Sequence, residues 1–205
     1  MKSSGGYLLI FEPEVVCDNH LSAFLKVTES LRQEKKFVYV PGDHNLISNL
    51  SLKENLLLEG CPGRLRQNRQ EDWVYIRNLM EEEKLGKLVA SLSDWEKLPH
   101  ACQDRTNKML CLIKALVAKP ELLFLDYPEK HLGPEEIKEV CHALQHLIET
   151  RKTQIYFATK TPFAWRSLLK FSVQKNGRTG WQTQALGHEQ SDELTLSAQK
   201  IEKAA

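Results

Sequence analysis

"ELLFLDYPEKHLGPEE", residues 121–136, decides how the chain is read. Leu122, Leu123, Phe124 and Leu125 run without a break into Asp126. A short, unbroken apolar run bounded by turn residues is the pattern of a strand buried on both faces. Asp126 stands at its end, Tyr127 follows, and Pro128 cannot continue the ladder. Pro134 then opens a helix, with Glu135 and Glu136 in its first turn, where carboxylates meet the positive end of the helix dipole. Ile137, Val140, Cys141, Leu144, Leu147 and Ile148 fall on one face of that helix. A strand, a loop and an amphipathic helix make one unit of an α/β sheet.

Working outward, the same unit recurs. "YLLIF" (7–11), "KFVYV" (36–40) and "TQIYFAT" (153–159) read as further strands, the second ended by Pro41-Gly42. "FSVQKNGRTGW" (171–181) reads as a hairpin. Asp18 or Asn19 can cap a helix with Leu21, Phe24, Leu25 and Leu31 on one face. "NKMLCLIKALVA" (107–118) is a strongly apolar helix stopped by Lys119-Pro120. Between these, residues 51–100 carry no strand signal. Ser51-x-x-Glu54 is a capping box opening a helix, and Trp73, Ile76, Leu79 and Met80 mark one face of another. The expected organisation is a parallel α/β core (1–50 and 101–180), an all-helical insertion (51–100) and a polar tail (181–205).

Bulk properties narrow the function classes. The 205 residues suffice for one domain with a sizeable core. A formal net charge of +1 gives no global field toward nucleic acid. No apolar run reaches the length of a membrane span, and the N-terminus does not read as a signal peptide. Cys17, Cys61, Cys102, Cys111 and Cys141 are scattered and form no CxxC, so neither a disulfide framework nor a zinc site is expected. A reducing, cytoplasmic setting follows. His20, His44, His100 and His131 have no metal-ligand spacing, and no metal or cofactor is expected. Arg64, Arg66 and Arg69 make a basic loop, read as a solvated face.

The order of these pieces resembles the ATP-binding domain family of ABC transporters. "LLFLDYP" is similar to that family's Walker B strand, which ends Asp-Glu-Pro. "LPHACQDRTNKMLCLIKALVAKPE" resembles the segment from "PHELSGGQ" to "ARALLAKPE". "FVYVPGDHNLISNLSLKENLLL" looks like the Q-loop segment, "IYFATKTPFAW" like the switch strand, and "LLIFEPEVVCDNHLSAFLKV" lies on the phosphate loop. Matches in the right order and spacing imply a P-loop NTPase-like core with a helical insertion. The family's β-subdomain is truncated here, because only a few charged residues separate the first helix from "KFVYV".

The resemblance also implies that each chemical position has changed. Asp18 stands where the family has the phosphate-loop lysine, and Asn19 and His20 where it has the magnesium-binding hydroxyls. With each charge worth about 4 kcal/mol near 4 Å at an effective dielectric of 20, exchanging Lys for Asp swings the site by about 8 kcal/mol against a triphosphate. The Q-loop glutamine is Gly42. The signature falls on Cys102 to Thr106, with Asp104 where a γ-phosphate would approach. Asp126 persists, while the general-base glutamate is Tyr127, which costs roughly 10²–10⁴-fold in rate by itself. Gly133 replaces the D-loop aspartate, and Lys160 the switch histidine.

The expectation is therefore a pseudo-ATPase that does not bind or hydrolyse ATP. It would serve as a scaffold or regulator docked on a membrane transporter or motor complex at the inner face of the cell membrane. The family docks a permease coupling helix in a groove beside the Q-loop. Here that implies Asp43, Leu46, Ile47, Leu50, Leu52, Trp73 and Ile76 as partner-binding residues. Two alternatives stay open: half of a heterodimeric ATPase lending Arg105 to an active partner, and a soluble scaffold. A homodimer is a further possible assembly, and nucleic acid is not an expected partner.

Overall fold

A computed structural model of the chain describes residues 5–10, 21, 24–25, 28–29, 35–60, 69–176 and 180–186. Its strands are β1 (Gly5–Ile10), β2 (Phe37–Val40), β3 (Leu122–Asp126), β4 (Gln154–Ala158), β5 (Leu169–Asn176) and β6 (Gly180–Ala185). They form one sheet in the order β2-β3-β4-β1-β5-β6. All pairings are parallel except the last, β5 with β6, which is the expected hairpin. The sheet therefore continues to Ala185, into the stretch that sequence assigned to the polar tail. Polar residues on an edge strand meet water without penalty, so composition alone does not mark them as strand. The rest of the tail, residues 187–205, lies outside the described residues.

The alternation of side chains along each strand builds two cores. Leu123 and Leu125 of β3 and Ile155 and Phe157 of β4 face one side, where they join the helices. Leu122 and Phe124, with Tyr156 and Ala158, face the other. On that second face, strand register sets aromatic rings in a row. Tyr39 pairs with Phe124, Phe124 with Tyr156, Tyr156 with Tyr7, and Tyr7 with Phe171. Stacking is direct for Tyr39–Phe124 at 5.3 Å, Tyr7–Tyr156 at 4.8 Å and Tyr7–Phe171 at 4.9 Å. Phe24, fully buried, stacks on Phe124 at 4.6 Å.

The helices are α1 (Leu52–Gly60), α2 (Arg69–Glu81), α3 (Gly86–Ala90), α4 (Asp104–Val117) and α5 (Pro134–Arg151), with 3₁₀ turns at Pro99–Ala101 and Pro162–Trp165. The capping box of α1 forms as read. The Ser51 N–H donates to Glu54 Oε2 at 2.7 Å, and the Glu54 N–H to Ser51 Oγ at 3.2 Å. At α5, Glu136 reaches back to the Gly133 N–H at 2.7 Å. Helix α4 is buried without a break from Asn107 to Ile113, the polar Asn107 and Lys108 included. Residues 51–100 hold no strand among those described. Their apolar side chains share one cluster with the sheet, so the insertion has no separate core.

The apolar face of α2 needs correction. Ile76 and Leu79 are buried, but Trp73 and Met80 are each 37% exposed. The helix touches the core along a narrow stripe through Ile76 and Leu79. Residues flanking that stripe turn toward water whatever their hydrophobicity.

Candidate functional site

In parallel sheets the ligand crevice lies beyond the carboxyl ends of the strands. Here the ends of β2, β3 and β4 converge through Pro41-Gly42-Asp43, Asp126-Tyr127 and Thr159-Lys160. Tyr127 has a φ of 41°, in the left-handed region that a bulky residue adopts only when its surroundings hold it there. Its N–H donates to the Ala158 carbonyl at 2.8 Å, tying β3 to β4. Its ring packs on Gly42: a Cβ added there would lie 3.4 Å from Tyr127 Cδ2. A long side chain at position 42 would meet that ring. Lys160, exposed as expected, sets its ammonium 5.6 Å from the ring centroid.

Asp126 accepts a hydrogen bond from the Tyr39 hydroxyl at 3.1 Å. Burial, and then the Asp126 charge, push the Tyr39 phenol well above its ordinary range, so it remains a donor. Glu129 accepts from Thr159 Oγ1 at 2.7 Å and from the buried Trp165 Nε1 at 3.2 Å, fixing the loop after β4. Lys130 pairs with Asp43, and that hydrogen-bonded ammonium holds the Asp43 carboxyl below its usual value. Gly42, Asp126, Tyr127 and Lys160, scattered in sequence, are thus brought to one crevice. Asp104 lies exposed in the first turn of α4, and Arg105 pairs with Glu136 of α5. Asp18, Asn19 and His20 lie outside the described residues. No group of three His, Cys, Asp or Glu able to hold a metal occurs among the described residues.

Two residues that sequence reasoning passed over organise the loop after β2. Lys108 of α4 is 1% exposed. Its ammonium donates to the carbonyls of Pro41 at 2.7 Å, Gly42 at 3.1 Å and Asp126 at 3.3 Å. Burial pushes its pKa down to about 8 against the weaker pull of nearby acidic groups. The signal was present: Lys108 shares a helical face with Cys111, Leu112 and Ala115. Asn55 of α1, fully buried, accepts from the Ile47 N–H at 2.8 Å. It donates to the carbonyls of Ile47 at 3.0 Å, Leu50 at 3.0 Å and Ser51 at 3.1 Å. Asparagine inside a helix, where it is a poor former, was its signal. Asn55→Ala strips the loop of these partners, and a loss of about 1–3 kcal/mol is expected in urea unfolding.

The residues expected to receive a partner divide. Leu52 and Ile76 are fully buried core residues, at 0% and 1% exposure, and cannot line a groove; this corrects the sequence assignment. Both sit on helix faces turned into the shared apolar core, a rotation that periodicity leaves open. Leu46 and Leu50 are half-buried, while Asp43 is exposed in its ion pair. Ile47 is 45% and Trp73 37% exposed, with Lys53 Nζ 5.1 Å from the Trp73 ring centroid. Val74, not singled out from sequence, is 49% exposed beside Trp73 on α2.

No family model matches the chain. It is 31% identical over 137 residues to the bacitracin transport ATP-binding protein BcrA of Bacillus licheniformis, covering 66% of this chain and 40% of that protein. It is 26% identical over 183 residues to an uncharacterized ABC transporter ATP-binding protein, YvcR, of Bacillus subtilis, covering 86% of this chain and 63% of the relative. The chain spans about half the length of the curated relatives it matches. Among solved structures it superposes on an ATP-binding subunit of an ABC transporter with a TM-score of 0.65 at 16% identity, over 96% of this chain and 89% of the other. Topology, the order of the segments and these likenesses agree, and the chain belongs to the ATP-binding domain family of ABC transporters.

Proposed function

We propose that this chain is a pseudo-ATPase: a cassette-fold subunit that neither binds nor hydrolyses ATP and serves as a docking piece for an integral membrane subunit. The observation that carries this reading is the Tyr127 ring packed on Gly42 at the strand ends, with Lys160 beside it. A magnesium nucleotide needs oxygen ligands for the metal and a carboxylate to activate water. The carboxylates of the described crevice are each engaged, Asp126 with Tyr39, Asp43 with Lys130, and Glu129 with Thr159 and Trp165, while position 42 is bare backbone and position 127 an aromatic ring. These residues do not fit the group. The reading also rests on Asp18, whose charge repels a phosphate, and on Asn19 and His20, which lack the hydroxyls that would hold magnesium.

The membrane setting comes from the relatives, which are named as a bacitracin transport ATP-binding protein and an ABC transporter ATP-binding protein. No helix among the described residues is long and apolar enough to cross a membrane. Ile47, Trp73 and Val74 supply exposed apolar side chains suited to receiving a partner helix. The subunit would sit on the cytoplasmic face.

Calorimetric titration with Mg-ATP is expected to show no saturable heat, and Tyr127→Glu to restore no turnover. A micromolar Kd for Mg-ATP would overturn the pseudo-ATPase reading. The docking reading is tested in native membranes with the double variant Ile47→Asp, Val74→Asp. Recovery of the membrane subunit should fall by roughly 30-fold or more, as for loss of a hot spot, with an unchanged melting temperature. Undiminished recovery would sink it.

A further inference from the structure

We propose that Lys108 is a positioning residue for the loop 41–47, so that the chain's own ammonium, with no bound nucleotide, holds the docking surface in shape. This rests on the docking reading above. The ammonium has three donors, and three carbonyls meet it: Pro41, Gly42 and Asp126. These carbonyls come from the ends of two different strands, β2 and β3, and their dipoles converge on one point. Without a cation between them they would repel. One turn along the same helix, the Cys111 thiol faces Asn45 Oδ1 at 3.4 Å. Asn55 closes the far end of the loop at Ile47 and Leu50. The loop is therefore held at its start, middle and end, and the exposed Ile47 side chain rides on it.

Burial of this charge is unfavourable, as the fall of the Lys108 pKa to about 8 shows. An apolar residue of similar length would fill the space without that cost. What it could not do is bind three carbonyls at once. Lys108 thus trades global stability for a fixed local geometry, the pattern of a residue kept for a site.

The test is amide hydrogen exchange on the full chain at pH 7, for wild type, Lys108→Met and Lys108→Gln, with and without Mg-ATP. In Lys108→Met, exchange at Asp43 to Ile47 should quicken by about tenfold or more while β3, β4 and α5 stay protected. Exchange through such local openings is separable from global unfolding. Glutamine keeps two donors and should fall between. Mg-ATP should leave the wild-type loop unchanged. Unaltered exchange in both variants overturns the proposal. So does a uniform rise across the chain, which would mean a purely structural role, and so does tightening of the wild-type loop by Mg-ATP. If neither variant folds, wild-type Lys108 should react with acetic anhydride only as fast as the loop opens; reaction uncoupled from loop exchange overturns the proposal. A loosened loop with undiminished recovery of the membrane subunit would sink the docking reading and leave Lys108 standing. Lost recovery with a rigid loop would do the reverse.

Discussion

Replacing Phe124 by alanine is expected to lower stability by about 3–5 kcal/mol. Phe124 is fully buried near the middle of the aromatic row. It stacks on Phe24 with an interplanar angle of 11° and on Tyr39 with one of 19°. Each such pair adds about 0.5–1.5 kcal/mol beyond the area buried. Domains of this size are stable by only about 5–15 kcal/mol in all. One ring is therefore worth a large share of the total, and the melting temperature should fall by roughly 10 °C. Phe163→Ala is the control: that ring is 53% exposed, and its loss should stay within about 0.5 kcal/mol. A cost below about 1 kcal/mol for Phe124→Ala in urea unfolding would show that the row does not bind the strands together.

The second large effect is a pH dependence centred on Lys108. In the folded protein its pKa falls to about 8 from an ordinary 10.5. Between these values the unfolded chain binds the extra proton, so this group makes stability rise with pH. At about 1.36 kcal/mol per unit, the full span is worth roughly 3 kcal/mol. Cys111, Asp126, Glu129 and Asp43 surround the ammonium and favour its charge, but burial outweighs them.

Other groups work in the opposite direction. Burial raises the thiols of Cys111 and Cys141, the latter to about 11, and the phenols of Tyr39 and Tyr156. These ionise first in the unfolded chain, so their contribution falls as pH rises through the ordinary thiol and phenol range. Cys141, Tyr39 and Tyr156 do not draw on Lys108, so they cancel in the difference between the wild-type and Lys108→Met stability curves; the Cys111 thiol, which the Lys108 charge lowers, is removed by making both measurements in a Cys111→Ala background. That difference should climb by roughly 3 kcal/mol between pH 7.5 and 10.5. A flat difference would show that Lys108 is not depressed.

Much of the crevice was legible as residue types. Gly42, Asp126, Tyr127 and Lys160 could each be placed at a strand end, because strand ends are marked by Pro41-Gly42, by Pro128 and by the close of an apolar run. What could not be read is that the Tyr127 ring meets Gly42. That contact depends on β2 and β3 lying side by side in one register. The proposed docking surface was half legible. Ile47 and Trp73 are exposed, whereas Leu52 and Ile76 are core. An apolar residue on a helix is compatible with either face until the helix's rotation is known. Lys108 and Asn55 each stood out by type on its helix, but which carbonyls they meet depends on where segments outside that helix run.

By itself the sequence determined the local elements: the buried β3 run, the Ser51–Glu54 box, the proline start of α5, and the order of strands and helices. These follow from interactions within a few residues, namely apolar periodicity, caps and the missing proline donor, and they need no tertiary information. The sequence also determined which chemical groups stand at the strand ends. Only the tertiary structure decided which groups meet. The row from Tyr39 to Phe171, the carbonyls gathered on Lys108 and the burial of Leu52 all depend on register and helix rotation. Those are set by packing between segments far apart in the chain, where many distant side chains must fit at once and no local rule reaches.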